Sequence, residues 1–524
     1  MSMKPRPVEK LKSQKANTGP IAVIDIGATS LRMAIAQVVA GSVEILDTLS
    51  QAVSLGKDTF IKGRIENETI EACVRVLKLY RHKLREYKLT DARRIRVVAT
   101  SAVREATNRL AFLDRVFIAT GFEVEPFDEA ELHRVTYLSV EPLLKESTSD
   151  AQVICEVGGG STEILVVVDD NIAFSQTYRL GSLRLRKTLE ALDAPEVKVR
   201  EIMQQQIRQT VQQFVRVLPL GRQFSLLGMG GDLRFAVAQS NPDWDRHSLA
   251  HLSLVDFEKL TEKILALSIE QICHRYHLSY PDAETLGPAM LVNLNIAQAL
   301  QVEEILVANT NLRDGLLSEM SRKDPWTAKF HQQVVRFALD LGRKYQFDEA
   351  HATHVAKLSE TLFDQLQPEH GLDSRHRTIL YVAALLHEIG TFIANRSYHK
   401  HSMYIIQNSQ FFGFGKRDLM LTALVARYHR RAHPQPLHDG FQDLGRKDRV
   451  AVSKLAAILR LAVALDESRI QRLEELNTVI HEDRIIISIA NAADLSLEQV
   501  ALRQYSSLFM DTFGKRVVLN HAQV

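Results

Sequence analysis

Two aliphatic runs in this chain end in the same way. "IAVIDIGATS" brings Asp25 to its tip and turns through Gly27 to Ser30, and "AQVICEVGGGST" brings Glu156 to its tip and turns through Gly158 to Ser161. Acid-x-Gly-x-x-Ser therefore occurs twice, each time after a run that reads as a buried strand. Glycine lets backbone N–H groups close on an anion, and Ser and Thr hydroxyls add donors. The pair reads as two lobes, each presenting a carboxylate and a phosphate-sized turn, with binding in the cleft between them. The carboxylates are placed to hold a divalent cation or a water beside phosphates. "GATS" alone is no more than a tight turn. Three consecutive glycines followed by Ser-Thr-Glu are far more specific. "GMGGD" at 228–232 is a third candidate cradle.

The chain of 524 residues is too long for one core, and its length suggests three or four domains. A net charge of +2 gives no whole-molecule field for nucleic acid or a membrane, so any anion site must be local. Cys73, Cys155 and Cys273 are scattered and lack metal or disulfide spacing, which fits a reducing cytoplasm. The first 19 residues are basic and polar, read as a disordered tail rather than a secretory signal. No run approaches the ~18 apolar residues of a membrane span.

From residue 21, strands and helices alternate. "SAVREATNRLAFLDRVFIATG" reads as one helix closed by Gly121, and "DEAELHRVTYLSV" as a helix with acids in its first turn. The pattern restarts near 150, with a hairpin about Asp169-Asp170-Asn171. After about 322 the chain is helix after helix, rich in His and Arg. "TVIHEDRIIISIA" near the end reads as a β-hairpin. The expected organisation is a tail (1–19), a first lobe (20–140), a second lobe (141–321) whose last helix returns to the first, a helical domain (322–470) and a short α+β segment (471–524).

"VIDIGATSLRM", "VVATSAVREATN", "DEAEL", "EVGGGSTEILVV", "LLGMGGD" and "NLRDGLL" follow in the order and spacing of the exopolyphosphatase/guanosine pentaphosphate phosphohydrolase (Ppx/GppA) family, which the chain resembles from about residue 20 onward. The resemblance implies a two-lobed α/β fold of the actin, Hsp70 and sugar-kinase type (ribonuclease H-like), followed by an all-α HD-like domain. It implies removal of a terminal phosphate from inorganic polyphosphate, or of the 5′ phosphate from pppGpp, with water and Mg²⁺, in a cytoplasmic homodimer. Glu129 would be the general base on water, and Arg104 would grip phosphates with its planar fork. Gly27, Thr29, Ser30, Arg32, Gly158, Gly159, Gly160, Ser161 and Thr162, with Gly228, Gly230 and Gly231, would form the phosphate turns. Glu156 and Glu163 would stand near the water, and Asp25 and Glu156 near the metal.

The chain departs from the family pattern in four places. Glu156 replaces the usual Asp, the first loop reads Gly-Ala-Thr-Ser rather than Gly-Ser-Asn-Ser, Asp232 ends the third loop, and Glu125-Pro126 replaces Ser-Gly before the catalytic acids. An acid near a phosphate chain repels it unless a cation intervenes. These departures point to the alternative, a binding protein for the same ligands with weak or no turnover. A third reading is a kinase-like enzyme transferring phosphate to ADP. In the helical half, His354, His387-Glu388, His399, His401, His429 and Asp466 follow the order of an HD signature. With Glu in place of its Asp, the domain is expected not to be an independent metal hydrolase. His399, His401, Arg427, His429, Arg430 and Arg431 are candidates for a basic path along which a polyanion lies.

Overall fold

The computed structural model describes residues 19–39, 42–146, 149, 151–191, 196–219, 221–322, 324, 326–430, 432–473, 475–489 and 495–521. Nearly all of the N-terminal tail, and Arg431, lie outside them. The chain forms two compact units. One comprises residues 1–127, 135–170 and 176–323, and the other residues 128–134, 171–175 and 324–524.

Strands within residues 21–307 form two sheets, which lie in the first unit except for residues 171–175. The first contains β1 (Ile21–Ile26), β2 (Ser30–Val39), β3 (Ser42–Ala52), β4 (Ile95–Ala99) and β5 (Val124–Pro126), in the order β3-β2-β1-β4-β5. The second contains β6 (Ala151–Val157), β7 (Thr162–Val168), β8 (Asn171–Tyr178), β9 (Ser225–Met229), β10 (Ala250–Ser253) and β11 (Glu304–Val307), in the order β10-β11-β9-β6-β7-β8. The central strand behaves alike in both. β1 runs antiparallel to β2 and parallel to β4, and β6 runs antiparallel to β7 and parallel to β9. The order β3-β2-β1-β4-β5 thus recurs as β8-β7-β6-β9-β11, with β10 added at the edge. The repeated motif is the visible end of a repeated sheet.

Each central strand is an apolar run because helices cover its sheet. Helix Asn67–Glu86 buries Ile70, Cys73, Val74, Leu77, Tyr80 and Leu84 at helical spacing in the core of the first sheet. Helix Tyr280–Leu300, capped by Ser279, is buried along most of its length and packs on β6 and β9. Helix Leu312–Ser321, the last of the unit, packs against β1, β2 and β3.

The single helix expected over 101–121 is two, Ser101–Glu105 and Arg109–Thr120. Asn108 causes the break. Its side chain accepts from Ile65 N at 2.9 Å and donates to Ile65 O at 2.8 Å, and Thr107 N donates to Gly63 O at 2.9 Å. Asn readily trades helix for such local pairing. Gly121 closes the second helix in the left-handed conformation, as expected.

The second unit is built on helices Ala328–Lys344, Glu349–Gln365, Ser374–Leu386, Tyr398–Gln407, Lys416–Arg427 and Arg446–Leu465. The hairpin near its end is β12 (Leu476–Ile480) with β13 (Arg484–Ile489). Strand β14 (Arg516–His521) adds in parallel to β13 after a crossover through two helices. Among the described residues no helix is long and apolar enough to cross a membrane.

Candidate active site

The two repeated turns share one geometry. Gly27 N donates to Ser30 O at 3.0 Å, and Gly158 N donates to Ser161 O at 2.8 Å. A Cβ on Gly27 would sit 3.1 Å from Ser30 O, and one on Gly158 3.2 Å from Ser161 O. Both glycines close a turn that a side chain would crowd. Their N–H groups are spent on this closure, so they brace the loops rather than offer donors to an anion. The loops also meet: a Cβ on Gly159 would lie 3.1 Å from Ala28 Cβ and 3.5 Å from Thr29 Cγ2.

The triglycine turn is held from behind. Gly158 O accepts from Ser182 N at 3.0 Å, Gly159 O from Arg184 N at 3.0 Å, and Gly160 O from Arg184 Nε at 2.7 Å. All three carbonyls are therefore engaged by residues 182–184. Arg184 also pairs with Glu105 at 2.7 Å and lies over the Phe60 ring at 4.0 Å. Sequence reading passed over Arg184, because it stands outside every recognised motif.

Asp25 and Glu156 end the two central strands. Asp25 Oδ2 faces Arg313 Nη1 at 3.4 Å, while its Oδ1 is buried without a partner. Burial raises the Asp25 pKa, opposed by Arg313 and Arg32. Burial also pushes Glu156 up to about 7. Glu163 and Asp25 push in the same direction, and Arg234 and Arg313 oppose. Glu156 thus feels the Asp25 charge, and both acids feel that of Arg313. Arg313 lies in "NLRDGLL" and Arg234 just beyond "GMGGD". Both stood beside motifs already noted, and a search for buried-acid partners would have found them.

Other expected residues fall into different roles. Glu163 accepts from Ser161 Oγ at 2.8 Å and from the Thr177 hydroxyl, so it is a braced carboxylate. Thr162 Oγ1 donates to Leu180 O at 2.5 Å and is buried, which turns its hydroxyl away from any phosphate. Gly228 is not part of a cradle. It lies inside β9, where a Cβ would come within 2.2 Å of Leu233 Cδ1, so it is there for packing. Only Gly230, at φ +129°, and Gly231, which opens helix Gly231–Ser240, form the turn itself. Asp232 does not confront a phosphate chain. It is buried and accepts from Asn293 Nδ2 at 2.7 Å, with burial raising its pKa to about 6. Arg104 is partly buried, and its Nη1 donates to Phe127 O at 3.1 Å.

Glu129 opens helix Glu129–Val140, and residues 128–134 belong with the second unit. Of the acids in "DEAEL", Asp128 accepts from Glu131 N at 3.0 Å and Lys416 N at 2.7 Å. Glu131 lies 3.7 Å from Arg375. Glu129 is the exposed one.

The proposed basic path is only partly at the surface. His429 is buried, with Nδ1 on Ala426 O, so it is removed from that set. Arg427 binds Asp439 O at 3.2 Å and Arg430 stacks on Tyr398 at 4.9 Å. His399 and His401 are half-buried.

The acids at the strand tips yield a prediction. Burial pushes Glu156 up to about 7 and Asp232 to about 6, so at these two sites the folded chain holds more protons than the unfolded one between about pH 4 and 7. Stability contributed by the protonated forms is therefore lost as pH rises. The Glu156 shift corresponds to at most about 3 kcal/mol. Denaturant unfolding of the ligand-free protein should show Glu156→Gln gaining stability relative to wild type between pH 5.5 and 8, against an opposite background from His331, His387 and His429, which burial holds below the usual imidazole range. An equal slope in the variant sinks the assignment.

A profile of the Ppx/GppA phosphatase family matches residues 34–324, and one for Ppx/GppA phosphatase domain III matches residues 335–506. The chain belongs to the Ppx/GppA phosphatase family. It is 23% identical over 505 residues to a guanosine-5′-triphosphate,3′-diphosphate pyrophosphatase of Photobacterium profundum, covering 92% of this chain and 95% of that relative. An exopolyphosphatase from Cytophaga hutchinsonii superposes with a TM-score of 0.52 at 21% identity, over 58% of this chain and 97% of that one. An exopolyphosphatase-like protein does so with a TM-score of 0.50 at 19% identity, over 57% and 97%. These superpositions agree with the duplicated α/β architecture of the first unit.

Proposed function

We propose that the protein hydrolyses phosphoanhydride bonds, releasing the terminal phosphate of inorganic polyphosphate or the 5′ phosphate of pppGpp. The observation that carries this reading is the pair of identical turns. They end strands that carry the buried Asp25 and the half-buried Glu156, which share the charge of Arg313, with Arg32 acting on Asp25 and Arg234 on Glu156. The names of the relatives supply the substrate class.

Thr29, Ser30, Gly159, Gly160 and Ser161 bind phosphate oxygens, and Arg104 and the three arginines neutralise the chain. Glu129 accepts a proton from water as the water oxygen attacks the terminal phosphorus. The P–O bond to the rest of the chain breaks, and the remaining chain leaves one phosphate shorter. Mg²⁺ is the cation proposed to assist. The unpartnered Oδ1 of Asp25, and a Glu156 whose negative charge is disfavoured by burial, Glu163 and Asp25, suit a cation that would offset that charge. When bound, it would screen charge on the phosphates. The protein is proposed to act in the cytoplasm as a homodimer.

Purified protein with Mg²⁺ should release inorganic phosphate from long-chain polyphosphate or from pppGpp, and the faster substrate names the activity. Binding of both without release would establish the alternative, a non-catalytic binder.

A further inference from the structure

The first turn of helix Glu129–Val140 is anchored by side chains on either side of Glu129. Asp128 caps the helix, its Oδ1 accepting from Glu131 N at 3.0 Å. Its other oxygen, Oδ2, accepts from Lys416 N at 2.7 Å. Lys416 opens helix Lys416–Arg427, so this N–H is one of those a helix leaves without an intrahelical partner. One carboxylate therefore closes the N-termini of two helices, one oxygen to each, across 288 residues of chain. Its negative charge is favoured at both, because each helix dipole is positive at that end.

The glycine before Lys416 fits this arrangement. Gly415 has φ −71° and ψ 173°, extended backbone open to any residue, so its conformation does not call for glycine. Space does: a Cβ there would run into Asp128 Oδ2, with Asp128 Cγ only 3.1 Å away. Beyond Glu129, Glu131 Oε1 lies 3.7 Å from Arg375 Nη2. That guanidinium grips the fully buried Asp418 through two bonds of 2.7 Å, and Asp418 stands in the first turn of the same helix Lys416–Arg427. Residues 128 and 131 thus both tie back to the start of one helix, and Glu129 lies between them. Residues 128–134 belong to the second unit, whereas the helix continues from Val135 in the first.

We propose that Asp128 is a positioning residue whose bond to Lys416 fixes the direction in which Glu129 points, so that the helical unit sets the rate of the chemical step. The proposal rests on Glu129 being the general base. A turn capped only within its own helix is free to pivot at the helix end, and a turn also held at Lys416 is not. A base must stay within hydrogen-bond reach of one water, and a misplacement of about 1 Å costs up to ~10²-fold in rate. Both oxygens of Asp128 are engaged by backbone N–H groups, so its part is to hold the turn rather than to take the proton.

Two variants of the full-length protein cut this bond from opposite ends. Asp128→Ser keeps a cap on its own helix, because a serine hydroxyl accepts from the same N–H, but it is too short to reach Lys416. Lys416→Pro removes the donor hydrogen. Proline suits the first position of a helix, and the extended Gly415 suits the residue before it. Steady-state kinetics are run with Mg²⁺ on long-chain polyphosphate or pppGpp, whichever wild type turns over. Each variant should lose about tenfold in kcat with KM within about twofold of wild type. The double variant should lose no more than either alone, since both cut the same bond. Wild-type kcat in either variant, a loss carried by KM alone, or additive losses in the double variant overturns the proposal; full turnover in Asp128→Ser makes local capping the whole role of Asp128. Should one variant not fold, the other decides. Glu129→Gln, assayed alongside, separates the two levels. Full turnover there, or none in wild type, removes the base reading and the proposal with it. Loss in Glu129→Gln with none in Lys416→Pro overturns the positioning role alone.

Discussion

Glu129→Gln should lower the rate constant for phosphate release by about 10²–10⁴-fold, the usual contribution of a positioned general base. The substitution keeps size and hydrogen-bonding capacity, so polyphosphate affinity should change little. Neighbouring contacts favour Glu129 over the other acids of its turn. Asp128 is committed to the backbone of Glu131 and Lys416, and Glu131 faces Arg375, whose guanidinium also grips Asp418 at 2.7 Å. Glu129 remains exposed, where water can reach it. Steady-state kinetics on polyphosphate with a parallel binding titration checks this. A variant that keeps more than a tenth of wild-type turnover removes Glu129 from the base role. A variant that loses affinity in step with rate makes it a substrate-binding group instead.

Gly181→Ala should be the most damaging single methyl in the first unit. A Cβ there would lie 2.2 Å from Gly160 C and 2.5 Å from both Gly159 O and Gly160 Cα. All three atoms are backbone, so no side chain can rotate aside. Either the triglycine turn or the start of helix Ser182–Ala191 must move, and their hydrogen bonds to residues 182–184 go with it. The expected cost is on the order of 3 kcal/mol. A loop displaced by about 1 Å should also cost ~10²-fold in turnover. Denaturant unfolding and kinetics on the same preparation test both. An unchanged unfolding midpoint would mean that the turn yields easily and is not braced from behind.

Much of this could be read from the chain because the repeat is local. An apolar strand, an acid and a glycine turn lie within ten residues, so both tips of the cleft were visible without knowing what packs on them. What escaped depended on distant partners. Asn108 breaks a helix because it pairs with Ile65, 43 residues earlier. Gly228 reads as a loop glycine until Leu233 is seen where its side chain would be. Asp232 reads as a charge facing phosphate until Asn293 is seen to take it inward. His351 and His354 share one helix and look equivalent in sequence, yet only His351 meets Asp466 at 2.7 Å. Spacing identifies the residue types at a site, and side-chain direction then decides which of them serve it.

Helix Leu312–Ser321 closes the sheet that begins at Ile21, and Arg313 meets Asp25 across 288 residues of chain. This has a consequence for biosynthesis. At about 5–20 residues per second, the first sheet, whose last strand ends at Pro126, waits roughly 10–40 s on the ribosome before the helix ending at Ser321 exists. Throughout that interval, the face of β1, β2 and β3 that the helix covers is open to water. The nascent first lobe is thus a natural client for a chaperone, and a ribosome stalled before residue 312 would display an unfinished apolar sheet.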